Sequence, residues 1–154
     1  MNPKIVVLNP EKCSKCYDCI NICKEIHGES RIRKVDGIPI FCMQCENAPC
    51  KEICPVDAIY LKDGIPIVSK EKCIACGMCA LACPIGAIFI KNKTAHKCTL
   101  CLDVDRITPA CIEVCKDRAL LLVSEETLDM MKEEKRKKIL KILREEAKET
   151  PIIK

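Results

Sequence analysis

Apolar residues along this chain fall in short runs rather than long stripes. Lys4-Ile-Val-Val-Leu8, Ile38 to Phe41, Ala58-Ile-Tyr-Leu61, Ile65-Pro-Ile-Val68, Ile88 to Ile90 and Ala119-Leu-Leu-Leu-Val123 each hold three to five residues, most of them β-branched or aliphatic. Runs of that length, bounded by Gly, Pro, Asp and Lys, predict strands rather than helices. The third and fourth are separated by Lys62-Asp63-Gly64, and two extended runs joined through Asp-Gly predict a hairpin. The pattern changes at Ser124, where SEETLDMMKEEKRKKILKILREEAKETP begins. Ser124 is placed to cap a helix, Glu125 and Glu126 suit its positive end, and Pro151 lies just past its last turn. Leu128, Met131, Ile139, Ile142, Leu143 and Ala147 trace an incomplete apolar stripe, so a charged helix packing on its own body is expected, with docking on a partner as the other use of such a face.

Composition changes the picture because the strands are too few and too short to bury a conventional core. The 154 residues include no Trp, two Phe and two Tyr, but 16 Cys. Roughly one residue in ten is a thiol, a density at which ordinary globular packing stops being a sufficient account. No run of about 18 apolar residues crosses the chain, and the stretch MNPKIVVLNPEKC lacks the charged, apolar and small-residue succession of a secretory signal. A soluble, cytoplasmic protein is therefore expected, and in that compartment regularly spaced cysteines point to metal rather than to disulfides. The final helix carries eight basic and eight acidic residues between Ser124 and Glu149, which argues against nucleic-acid binding.

The cysteines form four groups of four with none left over. They are Cys13, Cys16, Cys19 and Cys23; Cys42, Cys45, Cys50 and Cys54; Cys73, Cys76, Cys79 and Cys83; and Cys98, Cys101, Cys111 and Cys115. Groups one and three have the run C-x2-C-x2-C-x3-C, the spacing of bacterial ferredoxins, in which three thiolates wrap one cubane and the fourth reaches the other cluster of a pair. Zinc is the alternative for an isolated C-x2-C, yet a tetrahedral ion needs only four ligands, and a third Cys two residues further on would crowd a finished site. Soft thiolates in this number suit iron–sulfur clusters. Groups two and four carry inserts inside the triplet, Glu46 to Pro49 and Leu102 to Ala110, which read as surface loops on the same ligand frame.

Groups two and three share an exit, Cys54-Pro-Val-Asp-Ala-Ile and Cys83-Pro-Ile-Gly-Ala-Ile, which marks an internal duplication. The fold class expected is α+β, two bacterial-ferredoxin-like modules, one inserted in the other, plus a C-terminal charged helix. The inserted module covers 38–90, with Ile38 to Phe41 as its opening and Ile88 to Ile90 as its closing strand; the outer module is assembled from 1–37 and 91–123; the helix and tail occupy 124–154. Crossing the ligands as two-cluster ferredoxins do assigns Cys13, Cys16, Cys19 and Cys115 to cluster 1, and Cys23, Cys98, Cys101 and Cys111 to cluster 2. Cys42, Cys45, Cys50 and Cys83 fall to cluster 3, and Cys54, Cys73, Cys76 and Cys79 to cluster 4. The rival pairing joins groups one with two and three with four.

With all four motifs in order from Lys4 to Val123, the chain closely resembles the four-cluster ferredoxin-like electron-transfer subunits. These accompany molybdenum or tungsten pterin enzymes such as dimethyl sulfoxide reductase, formate dehydrogenase and aldehyde oxidoreductases, and also hydrogenases and carbon monoxide dehydrogenase. Two departures stand out: Lys24 follows Cys23 and Lys116 follows Cys115, where Pro is common. The resemblance implies four 4Fe-4S clusters, no catalytic residues, and single-electron relay between a catalytic oxidoreductase subunit, a tungsten or molybdenum pterin aldehyde or formate enzyme being favoured, and a second partner such as a ferredoxin or another electron-accepting subunit. A hydrogenase or carbon monoxide dehydrogenase subunit and a free polyferredoxin-like shuttle are the alternatives. No direct membrane insertion is expected. Lys12, Lys15, Lys24, Lys51, Lys72, Lys97 and Lys116 lie beside ligands and are placed to offset cluster charge, dock a partner or simply be solvated, whereas His27 and His96 are expected to be surface or capping residues.

Overall fold

A computed structural model describes residues 5–149; Lys4 of the first predicted strand and Pro151 beyond the last helix lie outside the described residues. Strand β1 (Ile5–Leu8) leads to helix α1 (Asp18–His27), then to β2 (Arg33–Val35) and β3 (Ile38–Ile40). Helix α2 (Pro49–Glu52), β4 (Ile59–Lys62), β5 (Ile65–Val68) and α3 (Met78–Ala82) follow, then β6 (Phe89–Lys91), β7 (Thr94–His96), a 3-10 turn at Leu102–Val104, α4 (Ala110–Val114), β8 (Leu120–Val123) and α5 (Glu125–Glu149).

Among the described residues, sheet structure is confined to four antiparallel pairs. The predicted hairpin is β4 with β5, in register Ile59↔Val68 through Lys62↔Ile65. Its turn residues Asp63 and Gly64 both have positive φ, 52° and 78°, the backbone of a two-residue turn whose twist matches the strands it joins. Two further hairpins use the same device: Asp36-Gly37 at φ 50° and 79° turns β2 into β3, and Asn92-Lys93 at φ 50° and 61° turns β6 into β7. Consequently the runs expected to open and close a central module each find a local partner. Ile38 stands opposite Val35, and Lys91 opposite Thr94. The long-range pair is β1 with β8, Ile5↔Val123 through Leu8↔Leu120, which brings the two ends of the cysteine-bearing region together.

Helix packing has the same symmetry, with α1 lying on α4 and α2 on α3. Two apolar clusters result. One joins Val6, Ile32, Phe41, Ile65, Leu100 and Leu120 with the buried thiols Cys23 and Cys111; the other joins Ala48, Ile59, Ile88 and Ala95 with Cys50 and Cys79. Cysteine thus takes the place in the interior that aromatic residues hold elsewhere.

The C-terminal helix does not pack on its own body as its stripe predicts. Ser124 caps it, its Oγ accepting from the Thr127 amide at 3.2 Å, but only Leu128 among the first residues is half-buried and every residue from Asp129 to Ala147 is exposed. The reason lies in the charges, which are spread around the helix with i,i+3 pairs such as Lys132–Asp129 and Arg136–Glu133, leaving no face wide enough to bury. No helix is long and apolar enough to cross a membrane among the described residues.

The core assignment is checked by truncation. Ile65→Ala, at a position 2% exposed, should lower the denaturation midpoint followed by circular dichroism by the equivalent of about 2–5 kcal/mol. Leu121→Ala, on the exposed side of β8, should stay within about 0.5 kcal/mol.

Candidate metal centres

Each cysteine group is built on one local design. The first two cysteines lie in a loop, the third (Cys19, Cys50, Cys79 or Cys111) sits in a short helix, and the fourth (Cys23, Cys54, Cys83 or Cys115) lies late in that helix or just beyond it. The residue directly before the second cysteine has positive φ in all four groups: Lys15 at 59°, Gln44 at 49°, Ala75 at 57° and Leu100 at 55°. Left-handed backbone disfavours residues with a Cβ by roughly 1–2 kcal/mol. Four repetitions of that cost mark a loop shaped by what it encloses, since alternation of right- and left-handed residues turns successive amides inward to a concave, anion-binding surface.

Three small cavities, of about 20 Å³ each, are lined by four cysteines each. Cys54, Cys73, Cys76 and Cys79 border the first, with Val56, Ile59, Val68 and Ile90 as walls. Cys42, Cys45, Cys50 and Cys83 border the second, with Pro66, Ile88 and Lys97. Cys23, Cys98, Cys101 and Cys111 border the third, with His27, Arg31 and Ile32. Cys13, Cys16 and Cys115 all act on the Cys19 thiol, which burial foremost, and then their charge, push up to about 11. All sixteen cysteines are free thiols. Among the described residues no three His, Cys, Asp or Glu side chains are gathered tightly enough for one ion; the sulfurs surround a wider space.

The chemistry of this donor set fits a cluster. Backbone amides point at the sulfurs: Ala58 to Cys54 at 3.3 Å, Ala87 to Cys83 at 3.2 Å, Ala95 to Cys73 at 3.4 Å, Gln44 to Cys42 at 3.5 Å and Arg31 to Cys23 at 3.2 Å. The first two explain the duplicated Cys-Pro-x-x-Ala-Ile exit, because its Ala amide is the donor to its own Cys. Group one lacks that exit; α1 runs on past Cys23 and Arg31 supplies the amide instead. Burial drives the Cys98 thiol up to about 12 and raises Cys111 further, with neighbouring thiols adding to the latter. Quartets of such thiols ionise only when a cationic core compensates them, which couples cluster binding to proton release.

Polar side chains near the quartets make contacts that cysteine spacing does not encode, while His96 takes the capping role expected of it. His27 is half-buried, not a surface residue: its Nε2 lies 3.4 Å from Cys101 Sγ, and burial followed by the Arg31 charge lowers it to about 4, so a neutral imidazole faces the sulfur. His96 caps a carbonyl, its Nε2 lying 3.0 Å from Lys91 O while its ring stacks on Phe89. Arg31 is buried and reaches across to the group-four insert, with Nη2 2.7 Å from Asp103 Oδ2 and Nη1 donating to Thr99 Oγ1 at 2.8 Å. Burial alone would raise the Asp103 carboxyl, but the hydrogen bonds from Arg31 and Thr99 outweigh it and hold it down at about 2. The insert is therefore less a free surface loop than a brace on group one, tied further by Lys62 Nζ to Leu102 O at 2.8 Å. Of the lysines beside ligands, Lys12, Lys15, Lys24, Lys72 and Lys116 are exposed, Lys51 is half-buried and Lys97 is buried.

Comparison with known proteins agrees with this geometry. The model of the 4Fe-4S dicluster domain matches residues 33–125. An uncharacterized ferredoxin of Methanocaldococcus jannaschii is 93% identical over 97% of this chain and 99% of its own length. The formate dehydrogenase iron-sulfur subunit of Wolinella succinogenes is 31% identical over 78% of this chain and 80% of its own, and the electron transport protein HydN of Escherichia coli is 31% identical over 88% and 96%. The chain belongs to the 4Fe-4S ferredoxin-like electron-transfer family, and is an iron–sulfur electron-transfer protein with mixed helix and strand content.

The brace is testable through its carboxylate. Asp103→Asn leaves the Arg31 guanidinium without its charged acceptor and should lower the denaturation midpoint of the holoprotein by the equivalent of about 1.5–3 kcal/mol. An unchanged midpoint would show that the insert is not held by this pair.

Proposed function

We propose that the chain carries four 4Fe-4S clusters and relays single electrons between a catalytic oxidoreductase subunit and a second redox partner, without bond-making of its own. The observation that supports this reading is the repetition of one site: four cysteine quartets, three of them each bordering its own small apolar cavity, with amides aimed at sulfur. The proposed sets are those of the crossed assignment, with Cys13, Cys16, Cys19 and Cys115; Cys23, Cys98, Cys101 and Cys111; Cys42, Cys45, Cys50 and Cys83; and Cys54, Cys73, Cys76 and Cys79. The packing of α1 on α4 and α2 on α3, and the pairing of β1 with β8, support two nested modules of 1–37 with 91–123 and of 38–90 over the sequential alternative. When bound, each cluster supplies a site that takes and gives one electron.

The protein's share is spacing and access. Gln44 Nε2 donates to Cys98 O at 3.0 Å, so the second and third quartets adjoin. Cys16 and Cys76, one from the first quartet and one from the fourth, are the exposed cysteines among the described residues. A row of four sites with exposed ends suits a wire between two partners better than a carrier with one docking face. The relative named as a formate dehydrogenase iron-sulfur subunit favours a molybdenum or tungsten pterin enzyme as the catalytic partner.

Anaerobic purification of the native complex with elemental analysis tests this. About sixteen irons per chain, beyond those of the partner, together with molybdenum or tungsten are expected. Nickel would move the partner to a hydrogenase or carbon monoxide dehydrogenase, and stoichiometric zinc with little iron would remove the electron-transfer reading. Cys76→Ala should retain about twelve irons and lose one cluster's spectroscopic signal, because its quartet alone is incomplete.

A further inference from the structure

Lys97 is 2% exposed, among the largest fully buried side chains in the protein. An ammonium carries three N–H donors and no acceptor. Its Nζ donates to three oxygens, Pro66 O at 2.8 Å, Cys98 O at 2.9 Å and Gln44 Oε1 at 3.2 Å. Three donors meeting three acceptors is the geometry of the charged form, since the lone pair of a neutral amine would face an oxygen lone pair. All three acceptors are neutral. A buried cation costs several kcal/mol unless an opposite charge compensates it, and none of these three groups supplies one.

What Lys97 does share is a cavity with four cysteines. It lines the cavity bordered by Cys42, Cys45, Cys50 and Cys83, and its main chain continues into Cys98 of the neighbouring quartet. The same three hydrogen bonds tie the Cys42–Cys50 loop, through Gln44, to Cys98 and to the β5 strand at Pro66.

We infer that Lys97 is a built-in counter-cation at the junction of the two middle quartets, one that raises the reduction potential of the cluster held by Cys42, Cys45, Cys50 and Cys83. The inference rests on the four-cluster reading above. Reduction adds one negative charge to a cluster, and a fixed positive charge in a low-dielectric interior stabilises that added electron far more than a solvated lysine does. Lys97 acts through the cluster's surroundings and so is a positioning and electrostatic residue, not a ligand.

The test is an EPR-monitored redox titration of the full chain, purified anaerobically, with iron and sulfide counted first. Lys97→Met, which keeps length and loses charge, should lower one midpoint by at least tenfold in the one-electron equilibrium, 59 mV. Gln44→Leu removes the tie but leaves the ammonium and should move that midpoint much less. Equal falls in both variants, or no fall in loaded Lys97→Met, would overturn the inference while leaving four clusters intact. Should Lys97→Met fail to load, Lys97→Gln carries the test: its amide keeps donors for the same oxygens and loses the charge, so a lowered midpoint supports the electrostatic role and an unmoved one overturns it. Absence of iron from the wild-type chain would overturn the four-cluster reading and this inference together.

Discussion

The bond on which this structure depends is the one from a main-chain amide to a cysteine sulfur. A chain with so few aromatic residues and strands of three or four residues cannot assemble an interior by side-chain packing alone. Its backbone instead folds inward on the thiols. Positive φ at Lys15, Gln44, Ala75 and Leu100 bends each loop, and the amides of Ala58, Ala87, Ala95, Gln44 and Arg31 end on sulfur. Thiolates are far better acceptors than thiols, so these bonds reach full strength when a cationic core holds the sulfurs ionised. Folding and cofactor are linked through the same atoms.

That dependence explains which polar side chains are buried. Arg31 is paired with Asp103 and Thr99, and the pair serves as a local brace between the α1 exit and the 3-10 turn after Cys101. Lys97 has no such carboxylate. Its neutral oxygen partners fix its position without cancelling its charge, and the sulfur-rich cavity beside it is what makes the burial affordable. Two buried cations therefore do different jobs, one structural and one electrostatic, and the chemistry of their acceptors distinguishes them.

Cysteine spacing is legible in a sequence because ligand geometry acts over two or three residues. The β4–β5 hairpin was legible for the same reason, as Asp63-Gly64 announces its turn locally. The β6–β7 hairpin was not, because Asn92-Lys93 adopts positive φ without glycine, and the β2 residues Arg33-Lys34-Val35 carry too much charge to read as a strand. What His27 faces, and which of the seven ligand-flanking lysines lies inside, were hidden for another reason. The roles of His27 and Lys97 arise from contacts with Cys101, Gln44 and Pro66, which lie far off in the chain or across a fold that periodicity does not encode. Its place directly before the first cysteine of group four marks Lys97 as a residue able to offset cluster charge, and the sole Gln of the chain lies inside group two. Only the fold shows that the two meet.

Nesting one module within another has a physical consequence that sequential modules would lack. In the proposed arrangement the chain leaves the outer module after group one and returns to it within the β6–β7 hairpin, which ends directly before Lys97 and Cys98. Cys98 is therefore carried to the boundary by the inner module's own exit, and a single residue, Lys97, spans from that boundary into the cavity of Cys42 and Cys50. Sequential modules would meet through a linker, whose length and motion would set the distance between their nearest sites. Here the distance is set by Gln44 Nε2 on Cys98 O and by the Lys97 fork, short bonds among buried groups that hold register more tightly than a surface linker can. Electron transfer rewards that rigidity, because the junction is the one step in the row that no single ferredoxin-like module contains.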